Sequence, residues 1–289
     1  MAYEQEISRQ YPAYFIFLLD QSGSMCGPVG GGEAVAKCDV LADNLNSWID
    51  NMLVAAAGSD GIKEYMDVSV IGYTTDENGN PIIRPALVGG LAGRERVGIA
   101  ELAEHPAREE EKIQQFFDEE TGEIMEVPYT QRIWVESTAE YGTPISSALI
   151  KAYELADEWT QQNPDSFPPI VINFSDGEST EGPPQEYAES LMSISTNDGN
   201  ILLFNCHLSE EEAGEILFPS SPEQLMVTGD PNAQTLFDIS SVFPENMLEI
   251  GKNLGFDLSP GARGMAFNAK AVGIIKFLDM GTKVSVDLR

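Results

Sequence analysis

Asp20-Gln21-Ser22-Gly23-Ser24 places one carboxylate and two hydroxyls at alternate positions, directly after the apolar run 14–19. A hard divalent cation such as Mg²⁺ takes oxygen ligands and keeps part of its water shell, so a few hydroxyls and carboxylates suffice to hold it. Asp, Ser and Gly are also ordinary turn residues. The pentapeptide therefore gains meaning only if matching oxygens recur at the ends of other strands. Two clusters are candidates: Ser175-Asp176-Gly177, just after the strand-like run 170–174, and Gly142-Thr143-Pro144, just before a helical stripe.

The elements that must position these oxygens follow from hydrophobic pattern. Residues 14–19 are an apolar run without polar alternation, which implies a strand buried on both faces; residues 170–174 read as another strand and 201–206 as another buried one. Residues 68–73 read as a further strand. Val35, Cys38, Leu41, Leu45, Trp48 and Met52 recur at spacings of three and four, an apolar helical stripe that Gly58 closes. Ile145, Leu149, Ala152, Leu155, Ala156 and Trp159 form a second stripe behind Pro144, a residue favoured in the first helical turn. Pro184 opens a third helix with Tyr187, Leu191 and Ile194. Late helices are expected near 244–254 and 265–280, and an edge strand at 225–228. Asn78-Gly79 is a hairpin signal, so residues 81–88 should return antiparallel at an edge, where prolines are tolerated.

Alternation of strand and helix argues for an α/β fold: a mostly parallel central sheet with one antiparallel edge strand and helices on both faces, Rossmann-like. The expected organisation is one domain over 1–289, with a core at about 12–75 and 142–289. An elaborated acidic insertion occupies about 89–141. It carries the acidic run 109–111, a hairpin signal at 120–123 flanked by Phe116, Phe117, Ile124 and Val127, and a short strand at 133–135. Its acidic clusters read as a solvated face, or alternatively as a docking surface for a basic partner.

In an open parallel sheet ligands bind outside the carboxyl ends of the strands. Asp20 and Asp176 lie at that edge. With Thr143 there too, one site gathers the Ser22, Ser24 and Thr143 hydroxyls with the Asp20 and Asp176 carboxylates, an all-oxygen set suited to Mg²⁺. The alternative reading is that these residues only cap loops and helices.

Asp20-x-Ser22-x-Ser24, Thr143 in Gly-Thr-Pro and Asp176 in Ser-Asp-Gly resemble, in order, the three parts of the metal-ion-dependent adhesion site of von Willebrand factor type A domains. The resemblance covers most of 14–206 and is looser in 89–141 and in the C-terminal third. It implies that Ser22 and Ser24 bind the cation directly and Thr143 directly or through water. Asp20 and Asp176 hold metal-bound waters. A Glu or Asp of a partner protein completes the coordination. Mg²⁺ is the expected ion, with Mn²⁺ or Ca²⁺ as alternatives. Within the family the chain is similar to intracellular bacterial members associated with tellurite resistance, the TerY-like proteins. That implies a cytoplasmic adaptor or assembly factor whose partner is a kinase or phosphatase of the same gene cluster.

Composition sets outer bounds. The chain of 289 residues has 16 Lys+Arg against 47 Asp+Glu, a formal net charge of −31. No basic cluster is present to neutralise phosphates or to meet an anionic membrane surface, so neither nucleic acid nor membrane is an expected partner. No apolar run approaches the length of a membrane span. Three cysteines without paired spacing suggest reduced thiols and a cytosolic setting. Cys38 and Cys206 are expected in the core and Cys26 in a loop.

Other chemistries are less well supported. The glycines at 27–32 lack the Gly-Lys-Ser/Thr ending of a phosphate loop. His105 and His207 stand far apart in polar contexts and are expected at the surface. No Gly-x-Ser-x-Gly elbow accompanies Ser22 or Ser175, and no catalytic residue is identified. The main enzymatic rival is a metal-dependent phosphatase or nucleotide hydrolase using Asp20, but Ser22 stands where such enzymes commonly carry a second acid. Glu178 and Glu181, near the third motif, read as solvated loop charges.

Overall fold

The computed structural model describes residues 3–29, 35–58, 61–117, 124–177, 179–210, 214–256, 258–269, 273 and 276–277. Strand β1 (Ala13–Asp20) is buried along its whole length. Successive side chains of a strand point to opposite faces, and here both faces find a core. Phe15, Phe17 and Leu19 pack into one hydrophobic cluster, Tyr14, Ile16 and Leu18 into the other. Helix α1 (Lys37–Ala56) covers the first face. Its Trp48 meets Phe15 and Phe17 edge-on, with ring centroids 5.6 and 4.7 Å apart.

Next come β2 (Met66–Thr75), β3 (Pro81–Pro85), the two-residue β4 (Val97–Gly98) and α2 (Ile99–Glu104). Strands β5 (Arg108–Phe117) and β6 (Ile124–Ile133) pair only with each other, as an antiparallel ribbon. The turn expected at 120–123 and the acids at 118–120 lie outside the described residues. Helix α3 (Ile145–Gln162) covers the second face, and its Trp159 stacks on Tyr14 with centroids 5.4 Å apart. Then follow β7 (Ile170–Ser175), α4 (Gln185–Ser193), β8 (Leu202–His207), β9 (Ile216–Leu217), α5 (Glu223–Met226), α6 (Pro231–Ile239), α7 (Glu245–Asn253) and β10 (Met265–Phe267).

The sheet order is β9-β10-β8-β7-β1-β2-β3, with β4 also beside β2. Strands β10, β8, β7, β1 and β2 run parallel, and β3 is the antiparallel edge expected from the Asn78-Gly79 turn. At the opposite edge β9 is also antiparallel. The α/β class with a mostly parallel sheet and helices on both faces is therefore as the hydrophobic pattern implies.

Several local expectations are corrected. Residues 225–228 are not an edge strand: Pro222 sits in helical conformation and opens the short helix α5. Leu225 is buried there while Met226 and Val227 face solvent. Residues 265–267 are strand rather than the start of a helix, because they complete the ladder between β8 and β9. Of the expected helix 265–280, only 273, 276 and 277 are described beyond Ala269, and they are helical. Val35 lies ahead of α1 and is exposed, and Tyr187 is exposed on α4, where Ala188 and Leu191 pack instead. Ile194 caps α4 from outside it.

The ribbon docks on α1 through polar groups. The Asn46 Oδ1 accepts from the Trp134 and Val135 backbone N–H groups at 2.9 and 3.0 Å, and its Nδ2 donates to the Val135 carbonyl at 2.9 Å. Gln131 Nε2 donates to the Asp43 carbonyl and to Ser47 Oγ, and Arg132 pairs with Asp50. Asn46 is 1% exposed, so its loss strands backbone donors in a dry contact. Asn46→Ala is expected to destabilise the fold by about 2–4 kcal/mol, since each buried unsatisfied group costs roughly 1–3. Urea denaturation compared with wild type measures it, and a loss below about 1 kcal/mol contradicts the assigned role.

Candidate metal centre

The carboxyl ends of the parallel strands fall in one row. Leu19 pairs with Phe174 across β1 and β7, Ser175 with His207 across β7 and β8, and Asp20 with Tyr73 across β1 and β2. Asp20, Ser175 and His207 thus leave neighbouring strands at one level, and the chain turns into the three loops there. Asp20 Oδ1 accepts the Ser22 N–H at 2.9 Å, an Asx turn that curls the first loop back on its own strand. Asp20 Oδ2 accepts from Ser175 Oγ at 2.7 Å, and Ser175 Oγ in turn accepts the Gly177 N–H at 2.9 Å. Ser175 thereby ties the first motif to the third.

The Ser22 and Ser24 hydroxyls face each other at 3.0 Å. Ser22 is buried and Ser24 exposed, so the pair runs from the interior to the mouth of the site. The Gly23 N–H donates to the Tyr141 carbonyl at 2.8 Å, and the Gln21 carbonyl accepts from the Glu140 N–H at 2.7 Å. A Cβ at Gly23 would stand 2.6 Å from the Glu140 carbonyl oxygen, so this approach requires glycine. These bonds bring the loop carrying Thr143 against the first motif. Thr143 is buried and held by its backbone: its N–H donates to Thr180 Oγ1 at 3.2 Å and its carbonyl accepts from Thr180 N–H at 3.0 Å.

Electrostatics mark the site as short of positive charge. Burial, and next the charge of Asp176, push the Asp20 carboxyl up to about 7, against the hydrogen bonds from Ser22 and Ser175. Asp176 Oδ1 is buried without a hydrogen-bond partner among the described residues. Its Oδ2 meets the ammonium of Lys37, 3.2 Å away, and the same ammonium lies 3.1 Å from Glu210 Oε1. Among the described residues no three His, Cys, Asp or Glu side chains cluster closely enough to hold an ion. A cation here therefore depends on the hydroxyls. Two carboxylates, one of them with an oxygen left without a partner among the described residues, and the Ser22 and Ser24 hydroxyls are the donor chemistry of a hard, partly hydrated divalent ion. Glu181 is exposed and accepts from the Ser147 N–H and hydroxyl; Glu178 lies outside the described residues.

Beside Asp176 opens a polar cavity of about 210 Å³, lined by Ser24, Lys37, His207, Glu210, Asp230 and Asn232 among others. His207 is not at the surface as its polar context suggested: it is 1% exposed, because it is the last residue of a central strand. Its Nε2 lies 3.2 Å from Asp230 Oδ2. His105 is exposed as expected. Lys37, Glu210 and Asp230 are functional candidates that motif reading missed, while it gives Ser175 no role beyond its place in the third motif and puts His207 at the surface. Lys37 had one signal: it sits four residues before Leu41, on the buried stripe of α1, where a charged side chain needs a partner.

No protein-family model matches the chain, and no curated protein matches it. Solved structures similar to it include the pilus adhesin SpaC from Lactobacillus rhamnosus GG. That match has 14% identity and a TM-score of 0.35 over 61% of this chain and 17% of that one. The vWF domain of the type V pili tip protein Mfa5 from Porphyromonas gingivalis is similar at 14% identity and a TM-score of 0.30, over 58% of this chain and 39% of that one. The pilus adhesin RrgA from Streptococcus pneumoniae matches at 14% identity and 0.30 over 91% and 34% respectively. The chain thus spans well under half the length of these proteins. Among the described residues no helix is long and apolar enough to cross a membrane.

Asp230 gives the cavity wall a pH signature. Burial raises its carboxyl, but hydrogen bonding and charge from His207, with N–H groups of Asn232 and Ala233, outweigh this and bring it to about 2. A carboxyl depressed from 3.8 stabilises the fold above about pH 4, and that contribution is lost as pH falls towards 2. Asp230→Asn keeps an equally good N-cap for α6 but cannot titrate. Its stability, followed by chemical denaturation across the acid limb, should fall less steeply with decreasing pH than that of wild type; parallel curves contradict the pairing.

Proposed function

We propose that the chain is a von Willebrand factor type A domain that binds a partner protein through a divalent cation, as an adaptor or assembly factor. The observation that carries the reading is the buried Asp176 Oδ1, without a partner among the described residues, in the cavity that Ser24 also lines and with the Ser22 and Ser24 hydroxyls facing each other, at the carboxyl edge of a parallel sheet. Ser22, Ser24 and Thr143 would hold the ion, and Asp20 and Asp176 would hold its waters and supply charge. When bound, the ion offers an open position to an acidic side chain. The protein's own part is to keep the hydroxyls in place. Ser175 fixes the Asp20 carboxylate, the Asx turn fixes Ser22, and the Glu140 and Tyr141 backbone brings the Thr143 loop up to them. Few protein anions touch such an ion directly, so it retains attraction for an incoming carboxylate.

Mg²⁺ is the proposed physiological ion and Mn²⁺ a usable probe. Calorimetry should show one Mn²⁺ or Mg²⁺ site per chain, weakened roughly 10–100-fold in Asp20→Asn, the usual cost of losing an outer-sphere partner. Pull-downs with and without EDTA should differ by a partner that an excess of free acidic peptide displaces. Failure of both ions to bind would sink the reading. Turnover of a generic phosphate ester, abolished by Asp20→Asn, would favour a metal-dependent phosphatase instead.

A further inference from the structure

Lys37 is the one lysine or arginine that is buried among the described residues, and its position is doubly costly. It is the first residue of α1, where the positive end of the helix dipole repels a cation. It is also 2% exposed, so its ammonium has left water. Two carboxylates offset these costs, and they differ in kind. The Asp176 side chain is 10% exposed and belongs to the proposed metal site; the Glu210 side chain is 53% exposed and stands at the cavity mouth. The arrangement is tightly built. The Lys37 N–H donates to the Gly27 carbonyl at 2.9 Å, and a Cβ on Gly27 would run into the Glu210 carboxylate. Gly27, Lys37 and Glu210 therefore close over one side of Asp176.

Resting on the metal-site reading above, we propose that Lys37 is a tethered competitor for the cation site, and that Glu210 receives its ammonium when a divalent ion arrives. A buried carboxylate cannot hold an ammonium and a dication at close range without strong repulsion between the two. The lysine's flexible four-carbon stem lets its charge move a short distance without moving α1. Glu210 already accepts from it, so the charge is handed over rather than abandoned. Without the ion, Lys37 keeps Asp176 compensated and the site assembled. With it, the Lys37–Glu210 pair would shift outward at the cavity mouth, so occupancy of the buried site would be reported on the surface beside Ser24 and Asn232.

Titration calorimetry with Mn²⁺ and Mg²⁺, on the full chain, tests this. Lys37→Met should bind the ion tighter by roughly ten- to a hundredfold, the scale expected when one competing charge leaves a partly screened site. Lys37→Arg, which keeps the charge, should bind no tighter than wild type. In EDTA, Lys37→Met should melt lower than wild type, and millimolar Mg²⁺ should raise its melting point by more. Glu210→Gln, at a half-exposed position that threatens folding least, should weaken binding several-fold by leaving Lys37 to Asp176 alone, and should have no effect in the Lys37→Met background. Wild-type binding that Lys37→Met leaves unchanged or weaker overturns the competition while the metal site stands, as does a Glu210→Gln that binds equally well. Absence of binding in every variant overturns the metal site and the competitor together.

Discussion

Two carboxylates drawn to the ends of strands that are buried on both faces set the constraint on which this structure turns. Asp20 is reached only through β1, and β1 is dry because α1 covers one side and α3 the other. The same packing that makes β1 a stable central strand therefore strips water from Asp20. It then leaves a choice between a neutral acid and a compensating cation. For the neighbouring Asp176 the compensating cation is Lys37, 3.2 Å away, and it comes from the helix that does much of the burying. Core, helix start and site charge are in this way one problem rather than three.

The floor beneath the site shows how the strands are kept at one level. Tyr73 donates its hydroxyl proton to Asn173 Oδ1 at 2.9 Å, Asn173 Nδ2 donates to Asn205 Oδ1 at 3.0 Å, and Asn205 Nδ2 donates to Ser240 Oγ at 3.0 Å. This chain crosses β2, β7 and β8 and skips over β1, inside a region that is otherwise apolar. A polar network in such a place is costly unless each member is satisfied, and satisfied it specifies one arrangement. Slipping one strand by a residue would turn its amide to the wrong face. The same slip would move Asp20, Ser175 or His207 out of the row that faces the loops. Register and site geometry are thus held by the same few groups.

Strand 14–19 was legible because an unbroken apolar run of that length implies burial on both faces, and 170–174 and 201–206 because each apolar run is broken only once, at Asn173 and at Asn205. The stripes of α1 and α3 were legible for the same reason of period. What escaped the pattern were short segments whose conformation is decided by neighbours. Residues 265–267 extend because β8 and β9 offer ladder partners on either side, something no local signal carries. His207 looked exposed because it adjoins a polar loop, yet it is the last residue of a central strand. The oxygens of the three motifs could be read as residues. Their mutual distances could not, since Ser175 bridging Asp20 to Gly177 is a contact across 155 positions of chain. Lys37 escaped the reading because its partners are Asp176 and Glu210, far along the chain.

The overall charge bears on what such a site would accept. At −31 the chain draws cations in and repels an acidic partner, and screening limits that field to about 8 Å at physiological ionic strength. Beyond that distance the repulsion fades; within it, Asp176, Glu210 and Asp230 around the cavity oppose a carboxylate more than Lys37 alone attracts one. A bound dication would add two positive charges there and, on the competition proposed above, would free the Lys37 ammonium to move outward. If a partner carboxylate completes the site, it would have to arrive on a surface whose other charges are basic, matching the acidic rim while its single acid meets the metal. Opposite signs for the rim and the central contact would make the interaction selective, because an acidic surface would be turned away by the rim and a basic one without the acid would lack the central contact.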